Sequence, residues 1–105
     1  MTAYLQVMTT VESRGQAEEV ARHVLDRRLA GCVQIVQCAS MYHWQGKVEQ
    51  SDEFLCIMKT RADLFDELKT EIAAVHPYEV PEILATPVAA GNSEYLDWLN
   101  GELRK

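Results

Sequence analysis

The fold is decided by residues 32–59, which read CVQIVQCASMYHW, then QG, then KVEQSDEFLCIMK. The two long runs predict a hairpin of two strands, residues 32–44 and 47–59. At about 3.3 Å per residue the first strand would span roughly 43 Å. A domain of this size has a radius of gyration near 13 Å and hence a diameter of about 34 Å. The hairpin should therefore overhang its own domain.

The tip of this hairpin carries an apolar and aromatic sequence, Met-Tyr-His-Trp at 41–44. An overhanging tip of this kind exposes apolar area and unpaired strand edges unless another chain covers them. We therefore expect a homo-oligomer joined through the hairpin. In the alternative, a bulge near residues 37–40, where clean alternation fails, lets the tip fold back.

Three helices are predicted around the hairpin. Ser13 and Gln16 form a capping-box pattern, and apolar residues then recur at helical spacing to about Arg28, with Gly31 placed for a left-handed cap. A second helix should open near 60–63 and close at His76, because Pro77 cannot continue it. A third should follow the Gly-Asn-Ser sequence at 91–93.

Two further strands, residues 3–9 and 83–89, complete the order β-α-β-β-α-β with an added C-terminal helix. This order predicts an α+β, ferredoxin-like fold, in which an antiparallel sheet carries two helices on one face. Pro87 belongs on an edge strand or at a bulge, since it cannot donate a ladder hydrogen bond.

Composition supports one soluble domain over residues 1–105. The chain has 48% hydrophobic and 25% charged residues and no apolar run of membrane-spanning length, so we expect no membrane partner. Residues 1–7, MTAYLQV, lack the basic start and the cleavage site of a secretory signal. The expected location is the cytoplasm.

Cysteine usage and net charge argue against a disulfide-linked protein and against a nucleic-acid-binding protein. Cys32, Cys38 and Cys56 make an odd count without the spacing of a metal knuckle, which fits reduced thiols better than a disulfide framework. The net charge of -6 argues against a surface that follows phosphates, so we expect no nucleic-acid partner.

The candidate site lies in HPYEVPE at 76–82, where two prolines leave the backbone few conformations. His76 is the main candidate for a metal ligand, because a neutral imidazole held at a fixed corner suits Cu(II) or Zn(II). Met8 or Cys32 could add a sulfur donor, which suits Cu(I). The alternative is that the segment is only a rigid helix-to-strand connection.

Three other polar residues are weaker candidates for a functional role. Lys59, close to Cys32 in a simple hairpin register, could bind an anion or a carboxylate, or could simply reach solvent. His43 is expected at an interface, and His23 lies among arginines on a solvated face without a role.

Enzymatic signals are weak. Glu79 and Glu82 could act as acid and base, yet most carboxylate pairs beside a turn are only solvated. No nucleophile elbow, phosphate-binding glycine loop or paired-cysteine redox motif is visible, and we predict a protein that is not an enzyme.

Taken together, five blocks of sequence resemble the divalent-cation tolerance proteins of the CutA family. The resemblance covers the whole chain in order, and the blocks are AGCV at 30–33, YHWQGK at 42–47, KT at 59–60, HPYEVPE at 76–82 and GNSEYLDWL at 91–99.

The resemblance implies a ferredoxin-like subunit in a tight cytoplasmic trimer built through long hairpins, similar in architecture to PII signalling proteins, and a link to copper and other divalent metals. It also implies copper ligands from a first-strand cysteine and from histidines at the end of the second helix. Here Met8 stands at the first position, and Val75 precedes His76. Gln34 replaces the asparagine that is usual in the family.

Two functions of different class follow. In the first, the protein is a copper-binding tolerance factor that uses His76 with Met8 or Cys32. In the second, it is a non-catalytic trimeric scaffold or small-molecule sensor. Its ligand cleft would lie between subunits near Cys32 and would be formed by Tyr42, Trp44, Lys59, Tyr78 and Glu79.

Overall fold

The computed structural model describes residues 3–105, so Met1 and Thr2 of the N-terminal segment discussed above lie outside the described residues. The elements follow in the order β1 Tyr4–Val11, α1 Arg14–Asp26, β2 Cys32–Trp44, β3 Lys47–Arg61, a 3-10 turn Ala62–Leu64, α2 Phe65–Val75, β4 Leu84–Pro87 and α3 Ser93–Glu102. The strands form one sheet in the order β2-β3-β1-β4, and all pairs are antiparallel. The predicted α+β, ferredoxin-like order with an added C-terminal helix is confirmed.

The core lies between the sheet and the helices. Alternate strand residues such as Val7 and Met58 are fully buried, and they meet Val24 from α1 and Leu68 and Ile72 from α2. The period of two in the strands and of 3.6 in the helices directs these side chains to a shared interior. Among the described residues, no helix has the length and apolar character needed to cross a membrane.

The central hairpin is a continuous ladder. Its pairing runs without interruption from Cys32 opposite Lys59 to Trp44 opposite Lys47, so the alternative of a bulge at 37–40 is wrong. The two residues that close the hairpin, Gln45 and Gly46, both have positive φ, 49° and 79°. This backbone matches the right-handed twist of the two strands.

The overhang predicted for the hairpin is confirmed. The molecule measures 45 × 26 × 21 Å, and residues 41–50 at the hairpin end are all exposed. The long axis exceeds the diameter of about 34 Å expected for a compact chain of this size.

The end of α1 differs from the prediction. The capping box of Ser13 with Gln16 is present, but the helix ends at Asp26, and the left-handed residue is Arg28, with φ 55°, rather than Gly31. A Cβ on Gly31 would lie 2.6 Å from Cδ1 of the buried Leu99, so a larger residue here would force this side chain of α3 to shift.

The strand boundaries also differ from the prediction. Strands β1 and β3 each run two residues further than predicted, whereas β4 covers only Leu84–Pro87 of the predicted 83–89. The short β4 pairs with β1 only over Leu5–Met8 and places Pro87 on an edge strand, as predicted.

Candidate functional site

The segment between α2 and β4, residues 76–83, begins at His76. This residue is the C-cap of α2 and has an extended backbone, φ -74° and ψ 136°, which confirms the fixed corner expected before Pro77. Because β4 pairs with β1 only as far as Met8, the last residues of β1 have no ladder partner on this side. His76 lies against them, with Nε2 3.0 Å from Thr9 Oγ1 and 3.0 Å from the Thr10 carbonyl oxygen.

Both ring nitrogens of His76 are engaged. Nδ1 accepts the backbone N–H of Tyr78 at 3.0 Å, so this nitrogen carries no proton. Nε2 therefore carries the proton and donates it to the Thr10 carbonyl. Burial lowers the pKa of His76 below its ordinary value, while the Thr10 carbonyl and the charge of Glu53 oppose this shift. The ring is held neutral, without a free lone pair.

Tyr78 connects this corner to the hairpin. Its hydroxyl donates to Glu53 Oε2 at 2.8 Å, and its ring lies 4.9 Å from the His76 ring at an angle of 58°. Burial, then the hydrogen bond to Glu53, raise the pKa of Tyr78, so the phenol stays protonated and acts as a donor. Glu53 itself is only 8% exposed.

These residues border a pocket between the hairpin and the 76–83 segment, called the hairpin pocket below. Its volume is about 850 Å³, within the range of small-molecule sites. It is lined by Thr10, Ser40, Met41, Tyr42, Trp44, Glu53, Tyr78, Glu79, Val80 and Glu82. Of the residues predicted for the cleft, the structure thus brings together Tyr42, Trp44, Tyr78 and Glu79.

Lys59 does not join this pocket within one chain. It pairs with Cys32 at the opposite end of the hairpin, as the simple register predicts, and its Nζ lies 5.9 Å from the centroid of the Tyr95 ring. Burial, followed by the neighbouring Cys32, raises the pKa of Tyr95. Lys59 and Tyr95 border a separate pocket of about 220 Å³ beside α3. The predicted cleft therefore divides into two places on one subunit.

Of the three predicted metal ligands, only Met8 and Cys32 belong to the sheet, and they lie on the two strands that flank β3. Met8 pairs with Ile57 and Leu84, whereas Cys32 pairs with Lys59 two positions further along β3. Within residues 3–105, no three His, Cys, Asp or Glu side chains are grouped closely enough to hold a metal ion. A single chain therefore does not fit a resident copper ion, and metal binding through His76, Met8 and Cys32 stays a prediction.

Sequence reasoning missed two polar residues. Glu53 was part of a predicted strand, and the available signal was an acidic residue directly before the apolar sequence FLCIM at 54–58. His23 was given no role, yet its Nε2 lies 2.8 Å from Glu71 Oε1, and Arg27 Nε lies 3.0 Å from the same oxygen. This cluster joins α1 to α2 and is structural.

Comparison with known proteins agrees with the family resemblance seen in the sequence blocks and with the fold described above. The family model of the "CutA1 divalent ion tolerance protein" matches residues 5–102. A divalent-cation tolerance protein CutA of Thermus thermophilus is 48% identical over 94 residues, which cover 89% of this chain and 91% of the relative. The protein of the same name from Archaeoglobus fulgidus is 39% identical, over 90% of this chain and 92% of the relative.

Solved structures agree with these matches. The Thermus thermophilus protein, at 44% identity, superimposes with a TM-score of 0.92 over 96% of this chain and 99% of that chain. CutA1 from Oryza sativa, at 38% identity, superimposes with a TM-score of 0.95 over 98% of this chain and 95% of that chain. The resemblance stated from the sequence is confirmed: the chain belongs to the CutA1 divalent ion tolerance family.

Proposed function

We propose that this protein is a non-enzymatic divalent-cation tolerance protein that acts as a homotrimer and binds a small ligand in a cleft formed on the hairpin pocket. Cation tolerance is the function named for its relatives. Ligand binding and assembly are proposed from one observation, the pocket of about 850 Å³ on a hairpin that overhangs the domain.

Assembly through the hairpin is supported by exposed apolar side chains at its end. Met41 is 70% exposed, Trp44 59% and Val48 62%. Strand β2 is also an edge of the sheet over its full length, so one row of its backbone groups lacks a ladder partner. Long apolar edges are covered in native proteins, and a second copy is the cover expected for this one. The trimeric count rests on the family resemblance.

A non-catalytic role is supported by the hydrogen bonding beside the pocket. The phenol of Tyr78 is held protonated against Glu53, and the His76 ring is neutral with both nitrogens engaged. These contacts hold the side chains in fixed positions beside the pocket, as a ligand-binding site needs, and the sequence carries no catalytic motif to use them.

Direct copper binding is the second candidate function, favoured by the family's connection to divalent ions. It would use His76 with Met8 or Cys32, and it requires His76 Nδ1 to release the N–H of Tyr78 or another subunit to supply ligands. Metal binding by this route should therefore alter the position of Tyr78 at the pocket.

A cytoplasmic location is part of the proposal. Relatives include chloroplastic proteins and one described as periplasmic. Fractionation of cells that express the tagged full chain distinguishes these compartments.

Light scattering at low micromolar concentration tests the assembly. We expect a particle of three times 11.9 kDa. Trp44→Glu should reduce the particle size, because it places a charge at the covered hairpin end, whereas Trp98→Glu on α3 is the matched control and should not. A monomeric wild-type protein would overturn the proposed trimer.

Calorimetric titration of the metal-stripped protein with Cu(II), and with Cu(I) under anaerobic conditions, tests the second candidate. One tight site per subunit that is lost in His76→Ala or Met8→Ala would establish direct binding. Weak binding that neither substitution changes would leave the ligand cleft as the function.

A further inference from the structure

The pocket beside α3, called the α3 pocket below, contains one charged side chain, that of Lys59. Tyr4, Gln6 and Tyr95 also line it, and the rest of the lining is apolar or glycine, so no Asp or Glu is among the lining residues that the structure describes. The chain as a whole has a net charge of -6, which makes a cationic pocket without acidic residues distinctive. A pocket of this sign attracts anions.

The ammonium group of Lys59 has no counter-charge in the described part of the chain. Its two neighbours across the sheet, Gln6 on β1 and Cys32 on β2, are not carboxylates. Within residues 3–105, no Asp or Glu lies within ion-pair distance of Nζ, which instead lies 5.9 Å from the centroid of the Tyr95 ring. Lys59 is also partly buried. An ammonium has three donors and no acceptor, so a partly buried one without a partner favours an anion that supplies the acceptor.

Apolar side chains form the wall around this ammonium. Leu5 from β1, Val88 from the chain after β4 and Leu96 from α3 all line the pocket and are themselves partly buried. Such a wall gains free energy by covering hydrocarbon. The α3 pocket therefore suits a ligand with one negative end and an apolar body.

Volume and charge narrow the class of ligand. The pocket of about 220 Å³ is smaller than the sites that hold drug-sized molecules, so it takes a ligand of few atoms. Protein sites for phosphate use a forked Arg or several backbone N–H groups, whereas a single Lys is a point charge that one carboxylate can match. An amino acid is disfavoured, because its ammonium group would find no carboxylate among the lining residues that the structure describes.

The α3 pocket lies away from the hairpin end that the proposed assembly covers. Lys59 pairs with Cys32 at one end of the ladder, and the hairpin end, where Trp44 pairs with Lys47, is about 40 Å further along the strand at about 3.3 Å per residue. Among the described residues, none of β2 and none of 41–50 lines this pocket. One subunit therefore uses different surfaces for the proposed assembly and for this pocket.

We propose that the α3 pocket binds a small aliphatic monocarboxylate, whose negative end meets Lys59 and whose hydrocarbon chain lies against Leu5, Val88 and Leu96. This site is separate from the hairpin pocket and from the ligand cleft proposed above.

Two-dimensional NMR of the full-length, nitrogen-labelled protein tests the site with three matched probes: isovalerate, valine and isoamyl alcohol. Valine adds an ammonium group to isovalerate, and the alcohol replaces the carboxylate by a hydroxyl. We expect isovalerate to shift the amide signals of Gly91 and Leu96 in a saturable way at neutral pH. Valine and the alcohol should need about tenfold higher concentration, the difference expected for one charge-assisted hydrogen bond. The indole signal of Trp44, at the hairpin pocket, should not change.

Two lysine variants supply a matched comparison. Lys59→Met removes the charge and keeps a long side chain, and it should weaken isovalerate binding about tenfold. Lys69→Met is the control, because Lys69 also lies 5.9 Å from the centroid of an aromatic ring, that of Phe65, but at an exposed position outside the pocket. It should leave the affinity unchanged. In the wild-type protein, added salt should weaken the binding of isovalerate and not that of the alcohol.

The outcomes separate this site from the other proposals. Valine that binds as tightly as isovalerate, or an unchanged affinity in Lys59→Met, would overturn a carboxylate held by Lys59. If neither isovalerate nor butyrate shifts Gly91 and Leu96, the pocket is not a carboxylate site. In that case, a smaller particle in light scattering of Lys59→Met would assign Lys59 to a contact between subunits. Saturable shifts confined to Trp44 would support the ligand cleft at the hairpin pocket and refute the site beside α3.

Discussion

Replacing Tyr78 by phenylalanine removes one hydroxyl and leaves Glu53 buried without its donor. The bond is short, 2.8 Å, and its acceptor is 8% exposed, so water replaces the lost donor poorly. Hydrogen bonds to charged groups contribute about 1.5–3 kcal/mol, and we expect Tyr78→Phe to lower the free energy of unfolding by this amount per subunit. With a urea slope of about 2 kcal/mol/M, a loss of about 2 kcal/mol moves the midpoint down by about 1 M.

Urea denaturation at fixed protein concentration measures this loss, since assembly makes stability depend on concentration. The matched control is Tyr42→Phe, whose hydroxyl lies 3.2 Å from Ser51 Oγ at an exposed site, and it should cost less than about 0.5 kcal/mol. In a Glu53→Gln background, Tyr78→Phe should cost only about 0.5–1.5 kcal/mol, because the acceptor is then neutral. Equal costs for Tyr78→Phe and Tyr42→Phe would refute the argument that a buried, uncompensated carboxylate depends on this phenol.

Three further substitutions test the framework around the site. Gly31→Ala should lower the unfolding free energy by about 1–3 kcal/mol, measured by urea denaturation, because its Cβ would meet the buried Leu99 side chain at 2.6 Å. The lowered pKa of His76 means that the unfolded chain binds its proton first as the pH falls below 6.5, so stability should be complete above pH 6.5 and decline below it. Denaturation midpoints at several pH values should show a shallower decline in His76→Gln than in the wild-type protein. Thr60→Val should cost about 1–3 kcal/mol by thermal or urea unfolding, since the buried hydroxyl donates at 2.6 Å to a buried backbone carbonyl.

Much of the fold follows from local sequence rules. The capping box at Ser13, the proline after His76 and the two long runs of the hairpin fix the elements and their order, because each rule concerns neighbours in the chain. The ends of β1, β3 and β4 cannot be predicted from these local rules, because they are set by pairing between strands that are distant in the sequence. The role of Gly31 was misjudged for the same reason, as its packing partner Leu99 is 68 residues away in the sequence.

The candidate site was predictable only in part. Four of the five cleft residues, Tyr42, Trp44, Tyr78 and Glu79, do meet in one pocket, although the sequence supplied them through the family resemblance rather than through spacing. Lys59 was included together with Cys32, its partner in the hairpin register, and on one subunit this pair lies at the other end of the hairpin. The engagement of both His76 nitrogens also depends on contacts with β1, which lies far from His76 in the chain.

The position of the hairpin pocket connects ligand binding to assembly. Its aromatic wall includes Trp44, which belongs to the overhanging end that the proposed trimer covers, whereas Tyr78 and Glu79 belong to the body of the same subunit. A ligand between these two parts contacts both the assembling element and the fixed domain, so its affinity differs between the free and the assembled chain. Such a difference is a coupling free energy, and it acts equally in both directions. A ligand that binds more tightly to the trimer should therefore shift the subunits towards assembly, while Trp44→Glu should weaken ligand binding and assembly together.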